Sequence, residues 1–133
     1  MRYLLDTCIV SYFLKKYPNT IRNFEKHNPS TMAISVITIY EIEFGLKNNP
    51  DKERKLRDLW ERFLNKINIL DLDTNTAIEA SKISASLRKP GFSVGSYDLL
   101  IAATAMSENL ICVTSNITEF SRIDGLHLDD WNK

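Results

Sequence analysis

The chain has few of the residues that build stapled or metal-clipped folds: two cysteines, two histidines, four glycines and four prolines in 133 residues. Cys8 and Cys112 are too few for a disulfide framework, and no Cys-x-x-Cys pair occurs. His27 and His127 are far apart in sequence, so no structural zinc centre is expected. Both cysteines sit among apolar neighbours and read as reduced core side chains, the state expected in the cytoplasm. Net charge is also missing: 17 basic residues balance 17 acidic ones, so binding to nucleic acid has to use a local patch. Long apolar runs are absent. The longest, Leu99 to Met106, is far too short to span a bilayer. No signal peptide is expected, because Asp6 interrupts the N-terminal apolar run and no small-residue cleavage site follows. Repeats, low-complexity tracts and Gly/Ser linkers are lacking too. What is present is enough apolar side chain for one domain over residues 1–133, burying roughly two-thirds of its surface.

Strands and helices alternate along the chain. Arg2 to Leu5 reads as a buried strand, followed by helical spacing in Ile9, Val10, Phe13 and Leu14. A second helix carries Ile21 and Phe24 and ends near Asn28-Pro29. Met32 to Ser35 reads as a strand and Ile37 to Lys47 as a helix. Leu56, Leu59, Trp60, Phe63, Leu64 and Ile67 mark one face of the next helix. A strand over Ile67 to Leu72 precedes a helix capped at Asp73 or Thr74 and broken at Pro90-Gly91. Ser96 to Ser107 is a helix with almost no polar face, so it should be central. Leu110 to Val113 reads as a strand, Ile117 to Phe120 as a short turn or helix, and Leu126 to Leu128 as a last strand. This alternation predicts an α/β fold with a parallel sheet and helices on both faces. In such sheets ligands bind at the carboxyl ends of the strands, where the strand order reverses.

Most acids lie beside bases on a solvated helix face, but three do not. Asp6 follows a strand directly, Glu41 lies within an apolar helix, and Asp98 opens the most apolar helix. An isolated buried carboxylate is costly, so each needs a partner or a metal. Two structural roles compete: Asp6 as a helix N-cap, and Asp98 as a first-turn acid favoured by the helix dipole. Glu43 points away from Glu41 and reads as solvated. Three carboxylates on three elements suit a hard divalent ion, Mg²⁺ or Mn²⁺, which takes oxygen ligands.

The segments carrying these acids resemble a family. Leu4-Leu5-Asp6-Thr7, Glu41 four residues before Gly45, Gly95-Ser96-Tyr97-Asp98-Leu99-Leu100-Ile101-Ala102-Ala103, and Val113-Thr114-Ser115-Asn116 with Glu119-Phe120 resemble the four motifs of the PIN-domain ribonucleases. The resemblance runs from Arg2 to Trp131, and its length and motif order are those of VapC-type toxins of bacterial toxin–antitoxin modules. It implies a PIN-like three-layer fold with a central parallel sheet of four to five strands. It implies a Mg²⁺-dependent endoribonuclease, with Mn²⁺ as a substitute ion. Asp6, Glu41 and Asp98 would be catalytic, and Asp6 and Asp98 the metal ligands. It also implies an RNA substrate such as tRNA, a cognate antitoxin, a homodimer and a cytoplasmic location, with no membrane attachment. Attack by an activated water would leave 5′-phosphate and 3′-hydroxyl ends.

The family often has a fourth acid where this chain has Asn116, which would either assist the site or simply cap its turn; Thr114 is expected to support the site from behind. Three carboxylates with one Mg²⁺ leave a formal charge of about −1, so one firm metal site is expected and a second ion would need the RNA phosphate. Lys15-Lys16, Arg88-Lys89 and the helix with Arg54, Lys55 and Arg57 are the candidate basic surfaces. The alternative is a non-catalytic RNA- or protein-binding PIN-like module with a weakened metal site. Three other readings rank lower. Gly91 to Gly95 matches Gly-x-Ser-x-Gly, but a nucleophile elbow needs a strand before Ser93. A metal-independent ribonuclease would need paired histidines, and His27 is expected to be exposed. A receiver-type domain would use Asp71 and Asp73.

Overall fold

The computed structural model describes residues 1–133. Its elements in order are β1 (Tyr3–Leu5), α1 (Thr7–Leu14), α2 (Pro18–Glu25), β2 (Met32–Ser35), α3 (Val36–Lys47), α4 (Pro50–Leu64), β3 (Asn68–Leu70), α5 (Thr74–Arg88), α6 (Ser96–Ser107), β4 (Ile111–Val113), α7 (Ile117–Phe120) and β5 (Leu128–Asp129). The five strands form one parallel sheet in the order β3-β2-β1-β4-β5. This is the α/β architecture expected from the sequence, a parallel sheet with helices on both faces.

Side chains alternate across each strand, which divides the core into two layers. Tyr3, Leu5, Met32, Ile34 and Val113 face α1 to α4, packing with Ile9, Val10, Ile42, Trp60 and Phe63. Leu4, Ala33 and Cys112 face the other way, against Ile83 and Leu87 of α5, Ile101, Ala102 and Ala105 of α6, and Phe120 of α7. Helix α6 is buried through its middle, from Ile101 to Ala105, as its apolar sequence requires, while its first two residues are exposed. Trp131 closes the first layer late in the chain: its ring stacks on His27 at 4.5 Å and meets Tyr3 edge-on at 5.1 Å. His27 is therefore half-buried between aromatic rings, not free in solvent.

Prolines and asparagines set several boundaries. Pro18 and Pro50 begin helices rather than merely ending the ones before, because a first-turn position needs no backbone N–H. Asn49 caps α4 through the amides of Asp51 and Lys52. Helix α2 stops at Glu25, and Pro29 to Thr31 form a separate 3₁₀ turn into β2. β3 is shorter than expected, with Ile67 in the core beneath α4 and Leu72 exposed. The last strand falls at Leu128–Asp129 rather than earlier.

Glu43 is not solvated. Its carboxylate accepts the Trp60 indole N–H at 2.7 Å and an Arg57 N–H at 2.7 Å, and it pairs with Lys47. These contacts tie α3 to α4, and Arg57, held also by Glu53, is not a free basic surface residue. The Arg57 hydrogen bond comes first among the causes that hold Glu43 down at about 2. A lowered carboxylate contributes stability that is present above its ordinary pKa and is lost as the pH falls through its folded value. Glu43→Gln should therefore lower stability by about 1 kcal/mol at pH 7, allowing for solvent screening of a partly exposed pair. In denaturant titrations across pH, that difference should shrink below pH 4.5 and vanish near pH 2.

Candidate active site

In the strand order, β2 and β4 flank β1 on opposite sides, so the chain's crossovers diverge there and leave a crevice at the carboxyl ends of β1 and β4. Asp6 ends β1 at this point. It is buried, and it does cap α1: Oδ1 accepts the Ile9 amide at 3.0 Å. The Cys8 thiol donates to the same carboxylate, at 3.0 Å to Oδ1 and 3.2 Å to Oδ2, and lies 3.2 Å from Ser115 Oγ. Cys8 is thus a polar member of the site rather than a simple core residue, and its thiol is pushed up to about 11 by burial and by the Asp6 charge. Cys112 is fully buried in the second core layer.

Glu41 reaches the crevice from α3. Thr7, one residue beyond Asp6, donates its hydroxyl to Glu41 Oε1 at 2.6 Å and meets the Thr38 hydroxyl at 3.1 Å. Asp98 arrives in the first turn of α6. Thr114 is buried at the end of β4, where its Oγ1 accepts the Asn116 amide at 2.9 Å. The Asn116 side chain does not cap its helix. Its Nδ2 donates to Glu119 Oε2 at 2.8 Å, while Glu119 Oε1 accepts the Gly95 amide at 2.7 Å. A Cβ on Gly95 would lie 3.7 Å from Glu119 Oε1 and 3.8 Å from Asp98 Oδ2, so these two acids flank one point.

The structure thus brings together Asp6, Glu41 and Asp98 and adds Glu119, so a fourth acid is present after all, three residues beyond the position where it was expected. Glu119 sits in the fourth motif but was not separated from ordinary surface acids, because it lies on a short helix with no apolar run to make a charge conspicuous. Thr7 was missed for a similar reason: a threonine next to an aspartate carries no signal until its partner on α3 is known.

The acids feel one another's charge. Asp98 is pushed up to about 6, first by burial, then by the charges of Glu119, Asp6 and Glu41. Asp6 is also raised by burial, with the Glu41 charge adding to it. Hydrogen bonds from Cys8, Thr114 and the Ile9 amide oppose that rise. None of the four acids takes part in an ion pair. The donor set fits a hard divalent cation: oxygen only, acidic, and uncompensated. No three acidic, histidine or cysteine side chains converge as a ready chelate, so these acids neighbour one another without forming a preformed metal site. Beside Glu41, a shallow pocket is lined by Thr7, Lys15, Gly45 and Lys52.

The rival sites do not assemble. Ser93 lies in the loop between α5 and α6, with no strand before it. Asp73 caps α5 through the Thr76 amide, and β3 is at the sheet edge, away from Asp6.

Because Asp98 is raised, its ionisation costs stability as the pH climbs from its ordinary value near 3.8 through about 6, and the full cost is felt above that window. In the metal-free protein, Asp98→Asn should leave Tm unchanged near pH 3.5. It should raise Tm by about 3 °C at pH 7.5, corresponding to about 1 kcal/mol for a half-exposed group. Thermal melts at the two pH values check this.

The PIN domain family model matches residues 3–126. The "tRNA(fMet)-specific endonuclease VapC" of Salmonella typhimurium is 38% identical over 131 residues, covering 98% of each chain. "Ribonuclease VapC2" of Haemophilus influenzae is 37% identical, again over 98% of each. Among solved structures, DNA-bound VapBC from Salmonella typhimurium superposes with a TM-score of 0.90 at 38% identity, covering 98% of each chain. VapBC2 from Rickettsia felis, bound to a DNA fragment from its promoter, superposes with a TM-score of 0.87 at 34% identity, covering 98% of this chain and 99% of that one. With its parallel sheet, its acidic crevice at the end of β1 and these full-length relatives, the chain belongs to the PIN-domain family, among the VapC ribonucleases.

Proposed function

We propose that this chain is the toxin of a toxin–antitoxin pair, a Mg²⁺-dependent endoribonuclease that hydrolyses structured RNA such as tRNA. The observation that carries this is the set of four carboxylates without an ion pair in one crevice. Such a cluster is disfavoured in isolation and is stabilised by a hard cation. Mg²⁺, or Mn²⁺ in its place, would be held chiefly by Asp6 and Asp98. When bound it supplies Lewis-acid stabilisation of the phosphate and lowers the pKa of water.

The chain's own residues have distinct tasks. Asp6, fixed by the Ile9 amide and the Cys8 thiol, presents a rigid ligand. Thr7 aims Glu41, which orients the attacking water. Asp98, in the first turn of α6, would share the ion with Asp6. Attack in line with the departing 3′-oxygen gives a 5′-phosphate and a 3′-hydroxyl. Both Glu119 oxygens already accept hydrogen bonds, so Glu119 contributes charge before it contributes a metal bond. Counting Glu119, one Mg²⁺ leaves a formal charge of about −2, but with both Glu119 oxygens engaged only one firm ion is expected, and a second would arrive alongside the RNA phosphate. Two tight Mg²⁺ sites without RNA, found by calorimetry, would contradict it.

The relatives named for tRNA(fMet) and the solved VapBC complexes support tRNA as substrate and an antitoxin protein as partner. The stretch 91–133 carries six acids against two bases, which suits a basic antitoxin segment. Homodimerisation and action in the cytoplasm complete the proposal; no helix is long and apolar enough to cross a membrane. A non-catalytic binding module is the weaker reading, because it leaves the uncompensated acids without a task.

Total small RNA incubated with antitoxin-free protein should be cut in Mg²⁺ and not in EDTA. Asp6→Asn and Asp98→Asn should each reduce cleavage at least about 100-fold. Cleavage that survives EDTA or both substitutions overturns the metal mechanism, and a 2′,3′-cyclic phosphate end overturns the hydrolytic one. Lys15 and Lys52, beside Glu41, should contact the RNA backbone. Replacing either by Gln should weaken RNA binding and reduce the slope of log affinity against log salt by about 1.

A further inference from the structure

Asn116 occupies the position of an expected acid, yet its contacts are those of a donor. Its backbone N–H is anchored on Thr114 Oγ1 at 2.9 Å, and Thr114 is completely buried at the end of β4. From that fixed base, Nδ2 reaches Glu119 Oε2 at 2.8 Å. The amide must turn its NH₂ side toward the carboxylate, since its own carbonyl would repel it. Glu119 Oε1 then takes the Gly95 amide at 2.7 Å, across 24 residues of sequence. Gly95 is the N-cap position of α6 and has no side chain with which to cap it. A second strut runs parallel: Arg122 donates to the Ser93 carbonyl at 2.8 Å. The segment around α7 therefore grips the loop that leads into α6 at two points, the nearer one three residues ahead of Asp98.

The geometry points to Asn116 as a positioning residue rather than a weakened metal ligand. As a neutral donor it aims the Glu119 carboxylate at the Gly95 amide, and this latch sets the start of α6 and hence where Asp98 stands. An aspartate at this position has no N–H to donate and would set two carboxylates against each other, so their repulsion would drive the Glu119 side chain away. Restoring the acid would break the latch. The effect on cleavage rests on the nuclease reading above; the latch itself does not.

The test uses the full chain with Asn116→Asp, Glu119→Gln and the double swap. In the swap, the side-chain NH₂ introduced by Glu119→Gln can donate to the carboxylate introduced by Asn116→Asp. Its carbonyl oxygen still accepts the Gly95 amide, and the number of acids is unchanged. The first readout is metal-free: the Gly95 amide resonance and its hydrogen exchange. Asn116→Asp should shift that resonance and speed its exchange about tenfold, the scale of one charge-assisted hydrogen bond, and the swap should reverse both. In Mg²⁺, Asn116→Asp should lower kcat about tenfold with KM for RNA little changed.

A Gly95 amide unmoved in Asn116→Asp, or one not restored by the swap, overturns the latch. An Asn116→Asp protein that cleaves as fast as the parent or faster shows that this is a vacant ligand position and overturns the positioning role. If the parent protein cleaves no RNA, the nuclease reading fails, and the Gly95 readout still decides the latch. Thermal melts of the three variants separate loss of the latch from loss of the fold.

Discussion

Four carboxylates neighbour one another at the end of the central strands, short of a closed chelate and with no base paired to any of them, and the rest of the architecture works against their mutual repulsion. Parallel strands deliver Asp6 to the crevice floor, and helices from both layers bring the other three to its walls. The groups that hold these acids are neutral: the Thr7 hydroxyl, the Cys8 thiol, the amides of Ile9 and Gly95, and the Asn116 side chain. A neutral donor fixes a carboxylate's direction without cancelling its charge. That leaves the field intact for a cation and adds to the burial that chiefly raises Asp98 above an ordinary aspartate.

Glu41 and Glu43 show the contrast within one helix. They lie two positions apart on α3 and therefore face different surroundings. Glu43 receives Arg57, Lys47 and the Trp60 indole, and becomes a strut between α3 and α4 whose charge is spent on structure. Glu41 receives a single hydroxyl and keeps its charge available. Residue type alone does not separate these roles; the presence or absence of a cationic partner does.

Much of this was legible in the sequence. The alternating elements follow from periodicity, because local burial imposes it directly, and the central place of the helix Ser96–Ser107 follows from its lack of a polar face. Asp6, Glu41 and Asp98 stood out because a charge inside an apolar segment is expensive. The remainder depends on contacts between distant segments. Glu119 lies on a four-residue helix with no pattern to violate, and its partner Gly95 is remote in sequence. Cys8 looks apolar by its neighbours along the chain, while its neighbours in space are Asp6 and Ser115. Glu43 and Arg57 each resembled surface charge until α3 and α4 were packed together. His27 was read from the proline beside it, and Trp131, which covers it, comes more than a hundred residues later.

The order of the acids along the chain has a consequence for how the molecule comes to be active. They stand at positions 6, 41, 98 and 119, and the central strand that carries the first pairs with β4 only after residue 110. Closing such distant pairs demands large losses of chain entropy before any contact is gained, so folding is governed by long-range steps. Until the last third of the chain has been made, an emerging polypeptide holds only Asp6 and Glu41, one side of the crevice. The acidic cluster is therefore among the last features to form, and a polypeptide that stops short of residue 98 does not carry it.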